Sequence, residues 1–281
     1  MAAENTSLTE RLLKRDRRIV LGGLVTLTLL SWAYMLTGSG MGMSVRDMTV
    51  VSLFPHRMAE MPMAGMSMSM QPGMWSLGYF VIVLIMWWVM MIAMMTPSSA
   101  PMILLYARAT RQSQATGQLP QGTVPTAAFA GGYLMIWLGF SLLAATLQWA
   151  LERSGLVSAM MLASTSAGVS AAILVLAGLY QLSPLKQVCL RHCRTPAEFL
   201  SRHWRPGASG ALRMGLEHGA FCVGCCWLLM ALLFVGGIMN VLWIAALATL
   251  VLLEKVAPHG AWLSRGAGVV LLAWGATTLV V

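Results

Sequence analysis

The chain has 281 residues, 58% of them apolar, and only 10% carry a formal charge, against roughly 25% in an ordinary soluble domain. So few charges cannot coat the surface of a soluble enzyme, and so much apolar side chain excludes a disordered chain. A multi-pass membrane protein remains, with 18 Lys and Arg against 9 Asp and Glu and an unexplained excess of 24 Met.

A crossing helix needs roughly 20 mostly apolar residues to span about 30 Å of hydrocarbon. Seven segments are candidates: 19–37, 76–96, 127–150, 157–182, 215–235, 238–256 and 266–281. The first follows a basic start, but its apolar run is too long for a signal peptide and no small-residue cleavage site follows it. It reads as an uncleaved span. The fifth and sixth flank Gly236-Gly237 and predict a tight hairpin. The seventh is short and predicts a tilted, partial or interfacial helix. Placing the N-terminus in the cytoplasm puts fifteen of the 18 Lys and Arg on the inner side. That positive-inside bias predicts an all-α polytopic bundle of six or seven transmembrane helices in a bacterial inner membrane. The net charge then reads as topology and attraction to the lipid bilayer, not as a nucleic-acid surface.

Between the first two spans, residues 38–75 form an outer loop containing Met61, Met63, Met66, Met68 and Met70, spaced by Gly, Ser and Pro. It has no helical or strand period and predicts a flexible segment. Residues 97–126 read as a cytoplasmic linker, with Thr96-Pro97 and Pro101 ending the second helix. Residues 183–212 are basic. Ser183-Pro184 predicts one helix start, and Thr195-Pro196-Ala197-Glu198 a capping box for another. Two short interfacial helices are expected there.

The second span carries Met90 and Met94 at four-residue spacing. A methionine stripe serves adaptable packing as readily as ligation. The five Cys fall in two groups, Cys189 and Cys193 in the basic loop, and Cys222, Cys225 and Cys226 in the fifth span. At helical spacing His218, Cys222, Cys225, Cys226 and Met214 share a stripe about 120° wide. One helix cannot wrap an ion alone, and Cys189 and Cys193 lie at a similar expected depth. The proposed metal ligands are Cys222, Cys225, Cys226 and His218, supported by Cys189, Cys193, Met90 and Met94, with Met61, Met63, Met66, Met68 and Met70 as a secondary capture site. Thiolate and thioether together select Cu(I); Zn fits the Cys and His alone. Two other readings stay open: a thiol–disulfide oxidoreductase built on the same Cys, and a non-catalytic subunit of a membrane complex in which the Cys merely pack. No Gly-rich phosphate loop, nucleophile elbow or His-Glu-x2-His helix is present, so the catalytic options beyond the thiols are thin.

Three stretches together resemble a bacterial family of predicted metal-binding integral membrane proteins, a domain of unknown function. They are Met90-Met91-x2-Met94-Met95-x-Pro97, Pro184-Leu-Lys186-x2-Cys189-Leu-x2-Cys193-Arg194-x-Pro196 and Cys222-x-Gly224-Cys225-Cys226-Trp227-x2-Met230. The resemblance covers about residues 75–257, and the Cys-x-Gly-Cys-Cys-Trp stretch is its most specific part. It implies a bacterial inner-membrane protein with a metal site at these Cys and supplies no reaction. The combined expectation is an integral membrane protein that handles or translocates Cu(I), with a copper chaperone or a membrane complex as partner.

Overall fold

The computed structural model describes residues 2–38, 75–117, 124–157, 164 and 166–280. Ten helices account for nearly all of them: α1 (Ala2–Leu36), α2 (Leu77–Ala115), α3 (Val124–Arg153), α4 (Ala167–Leu182), α5 (Pro184–Arg194), α6 (Pro196–His203), α7 (Gly207–Ala231), α8 (Leu233–Gly236), α9 (Val241–Val256) and α10 (Gly260–Val280). The outer loop with Met61, Met63, Met66, Met68 and Met70 lies outside the described residues.

Among the described residues five stretches are long and apolar enough to cross a membrane, Arg17–Leu36, Leu77–Ala115, Pro125–Arg153, Gly207–Gly236 and Gly260–Val280, or six if the bent pair α4–α5 counts as one span. The expected seventh span is therefore a full-length helix of 21 residues rather than a short one. The expected fourth and sixth are shorter. α4 and α9 each have 16 residues, about 24 Å of rise against about 30 Å of hydrocarbon. α4 stops where Ser183 turns extended and caps α5, and the pair bends by 64°. α9 starts late because Gly237 sits at φ 90° and Asn240 caps the helix by accepting from the Trp243 amide.

The expected break at Thr96-Pro97 is absent, as is much of the linker 97–126. α2 runs helically through Pro97 and Pro101 to Ala115. Each proline withholds one amide donor, and neighbouring hydroxyls add donors at the same level. Ser98 Oγ and the Tyr133 phenol both donate to the Met95 carbonyl, and Ser99 Oγ donates to that of Thr96. Two short helices fill the basic loop as expected. Ser183 caps α5 through the Lys186 amide, but the capping box at Thr195 does not form, because Thr195 Oγ1 turns back to the Arg191 carbonyl.

Two helix pairs pack backbone to backbone through glycine. A Cβ at Gly215 of α7 would run into the Phe129 carbonyl of α3. On the other side, a Cβ at Gly268 of α10 would lie 3.0 Å from the Gly178 carbonyl of α4. Small residues permit such close approach between apolar helices.

A buried ionic tie joins α4, α5, α9 and α10. Lys186 Nζ meets Glu254 Oε2 at 2.6 Å and the Gln181 side-chain carbonyl, and Gln181 Nε2 donates to Glu254 Oε1 at 2.7 Å. Ser264 Oγ donates to the Gln181 backbone carbonyl at 3.3 Å. Arg194 closes the same end, donating to the backbone carbonyls of Glu254 and Ala257. A buried carboxylate is tolerated only when paired and hydrogen-bonded like this. The tie holds the Cys189–Cys193 helix against the end of α9.

Candidate metal centre

α7 is buried along one stripe that runs Met214, His218, Cys222, Cys225, Cys226 and Met230. The residues recur three and four apart, so one helical face carries every donor. α2 answers with a second buried stripe, Met86, Met90, Met91, Met94, Met95 and Met102. Cys226 Sγ stands 3.9 Å from Met95 Sδ, where the two stripes meet. Met90 and Met94, which the sequence put forward as supporting ligands, are buried along the same stripe.

Side chains from three more helices close around this point. Tyr133 of α3 places its hydroxyl 3.2 Å from Cys222 Sγ. Lys255 of α9 extends inward, and its Nζ lies 2.9 Å from Cys222 Sγ and 3.1 Å from Ser98 Oγ. Cys193 of α5 packs a further thiol against the cluster that holds Cys222 and Cys225. The Cys225 and Cys226 thiols both donate back to the Cys222 carbonyl, at 3.1 and 3.0 Å. Cys222, Cys225 and Cys226 are all buried.

The glycine inside Cys222-x-Gly224-Cys225-Cys226 has a spatial reason. A Cβ there would lie 3.0 Å from Cys189 Sγ, so Gly224 makes room for the α5 thiol. Tyr180 fixes the same turn by donating to the Gly224 carbonyl. Cys189 is half-buried beside this seam.

His218 goes elsewhere. Its ring lies against Phe129 and Tyr133, with centroids 6.1 and 5.8 Å away, and edge-on to Phe199 at 5.5 Å. Its Nδ1 is buried with no hydrogen-bond partner among the described residues. The helical wheel put His218 with the thiols, but the aromatic side chains of α3 and α6 surround it.

Among the described residues no three Cys, His, Asp or Glu side chains form a set that would hold a metal ion. The thiols touch in pairs and point partly at backbone carbonyls. The donors at hand are therefore a few soft sulfurs, thioether included, rather than a convergent cage of thiolates and imidazoles.

Tyr133 and Lys255 escaped the sequence reading, and Met95 appeared there in the methionine motif without being named a ligand. Lys255 was the most legible of them, as a charged residue closing an apolar run. It follows Glu254 directly, and adjacent residues on a helix do not face each other. Glu254 turns to Lys186 and Lys255 turns to Cys222.

The model of a copper chaperone family, PpoB2, matches residues 84–278, more than half of the chain. The chain belongs to that family. The match takes in α3 to α9 entire and most of α2 and α10, and so reaches beyond the expected 75–257 to include the last long helix. Membership makes copper handling the function of this chain in broad terms. Neither a curated protein nor a solved structure matches it.

Proposed function

We propose that this PpoB2 family member is an integral membrane carrier of Cu(I), and that the ion sits between α2 and α7. Cys222 and Cys226 supply the thiolates, Met95 the thioether, and Cys193 and Cys225 stand as alternate donors for loading or release. The observation that carries this reading is the Cys226–Met95 sulfur contact at 3.9 Å, where two buried sulfur stripes from separate helices cross. Thiolate with thioether is the donor pair that selects Cu(I) over harder ions. The remaining methionines of α2, from Met86 to Met102, extend the soft surface along the helix and offer a path for the ion. The outer run Met61, Met63, Met66, Met68 and Met70 offers the same donor for capture before entry.

The bilayer is the expected environment, because the long helices present exposed aliphatic side chains. Leu29, Leu30, Leu143, Val269, Val270 and Leu279 are among them, and such a surface needs an apolar cover. The thiol–disulfide reading gains nothing from the geometry, since the α7 thiols are buried where a partner dithiol does not reach.

Anaerobic purification in detergent after growth with copper, followed by elemental analysis, tests the proposal. Wild type is expected to carry copper, and Cys222→Ser with Cys226→Ser to carry none at unchanged yield. Equal copper in the double variant contradicts the assignment.

A further inference from the structure

The donor stripe of α7 does not end at the thiols. His218 lies one helical turn from Cys222, and Met214 one turn further toward the α6–α7 junction. Four residues rise about 6 Å, so buried donors recur at that interval from the sulfur crossing toward the start of the helix. α2 runs alongside in matching order. Met95 meets Cys226, Ser98 lies at the ammonium that touches Cys222, and Met102 packs in one cluster with Met214. That cluster also contains Phe129 and Phe199, the two rings that wall His218. The cage around the imidazole therefore carries two thioether side chains. The Arg205 amide donates to Met214 Sδ at 3.2 Å, which holds that sulfur at the junction and leaves it a second lone pair. His218 itself is 2% exposed, and its Nδ1 has no hydrogen-bond partner among the described residues. A buried polar atom left unpaired is unfavourable and calls for a partner from outside the chain.

We infer that His218, Met214 and Met102 form a second Cu(I) station, separate from the sulfur crossing, through which the ion passes between that crossing and the α6–α7 end of the molecule. The inference rests on the Cu(I) reading above. Imidazole suits copper, and thioethers select its monovalent ion. The neutral imidazole lends the Nδ1 lone pair and the thioethers lend theirs. In the handover the bond from Cu(I) to Cys222 Sγ breaks as the bond to His218 Nδ1 forms, and nothing is oxidised or reduced. All three donors are neutral, so the ion keeps its whole positive charge in a low-dielectric interior, which is costly. The station is therefore weaker than the crossing with its thiolates. It fills only after the crossing has filled, and it empties during purification, so a purified protein without Cys222 and Cys226 still carries no copper. Weak holding one turn away from a strong site is what passage requires.

The test is X-ray absorption at the copper edge of the full chain in detergent, loaded anaerobically with one and then with two equivalents of Cu(I). The first equivalent is expected to show sulfur alone, and the second to add nitrogen. His218→Phe is expected to keep the first equivalent and to lose the nitrogen of the second. Met102→Leu with Met214→Leu conserves volume. It is expected to weaken the second equivalent by at least about tenfold in titration against a Cu(I) chelator, since even outer partners of a metal site are worth that much, and to leave the first unchanged. Uptake that stops at one equivalent overturns the inference and leaves the Cu(I) reading standing. So does a second equivalent without nitrogen, nitrogen that persists in His218→Phe, or an unchanged second affinity in the double methionine variant. Nitrogen in the first equivalent that His218→Phe removes overturns both, because the imidazole then belongs with the thiols. A wild type that takes up no Cu(I) also overturns both.

Discussion

Two buried lysines divide this molecule. Lys186 meets a carboxylate and an amide, every polar atom of its tie has a partner, and no donor there is left for a ligand. Lys255 meets a thiol and a hydroxyl, both of which can exchange partners. The adjacent Glu254 and Lys255 serve the two regions separately, one facing the α4–α10 side and the other facing α2 and α7. A saturated buried ion pair is architecture. A buried cation held by a sulfur that also ligates soft metals is chemistry waiting for a competitor. The difference shows that burial and charge alone do not mark a site; the exchangeability of the partner does.

Substitution on the two sides is expected to separate stability from copper. The largest loss of stability comes from Glu254→Ala, which strands Lys186 in the interior and is expected to cost about 3–5 kcal/mol, read as a lowered melting temperature in detergent. Lys186→Met combined with Glu254→Leu is expected to recover most of that loss, because a buried pair replaced by packed apolar side chains is often near neutral. Failure of the double variant to recover would place a functional demand on the tie itself. Cys222→Ser is the converse case. Copper binding is expected to vanish while stability falls by about 0.5–3 kcal/mol, the range typical of single substitutions, less than for Glu254→Ala.

Smaller effects sharpen the picture inside the sulfur region. Gly224→Ala places a methyl 3.0 Å from Cys189 Sγ, and an overpacked contact of this kind is expected to cost about 1–3 kcal/mol. Its copper content should fall less than that of Cys222→Ser, which elemental analysis distinguishes. Met95→Leu preserves volume and removes the thioether. It is expected to weaken Cu(I) binding by roughly tenfold, an effect of the order seen for a single supporting interaction at a metal site. Met94→Leu, one residue away on another part of the stripe, is expected to leave affinity unchanged in a Cu(I) competition titration.

Much of this was legible in the sequence, and the exceptions have physical causes. The α7 stripe follows from the helical repeat alone, which is why Met214, His218, Cys222, Cys225 and Cys226 were placed together and are buried together. The repeat says nothing about what packs opposite. His218 therefore shares the face of the thiols but lies against Phe129, Tyr133 and Phe199, contributed by α3 and α6. Which methionine sulfur of α2 comes up to Cys226 depends on the rotation of the two helices, and it is Met95 that stands 3.9 Å from it. Pro97 and Pro101 read locally as a break, and the added hydrogen bonds at that level come from Ser98 of the same helix and from Tyr133 of α3. The expectation of six or seven spans meets, among the described residues, five full-length helices, or six if the bent pair α4–α5 is one span, because capping at Ser183 and Asn240 shortens α4 and α9. Hydropathy does not weigh caps of this kind.

The central claim is that Cu(I) lies among sulfurs contributed by α2 and α7. X-ray absorption at the copper edge of anaerobically loaded wild type, compared with Met95→Leu and Cys226→Ser, addresses it most directly. The account predicts a first shell of sulfur alone, losing sulfur in both variants. A shell dominated by nitrogen or oxygen, or one identical in all three proteins, would contradict it.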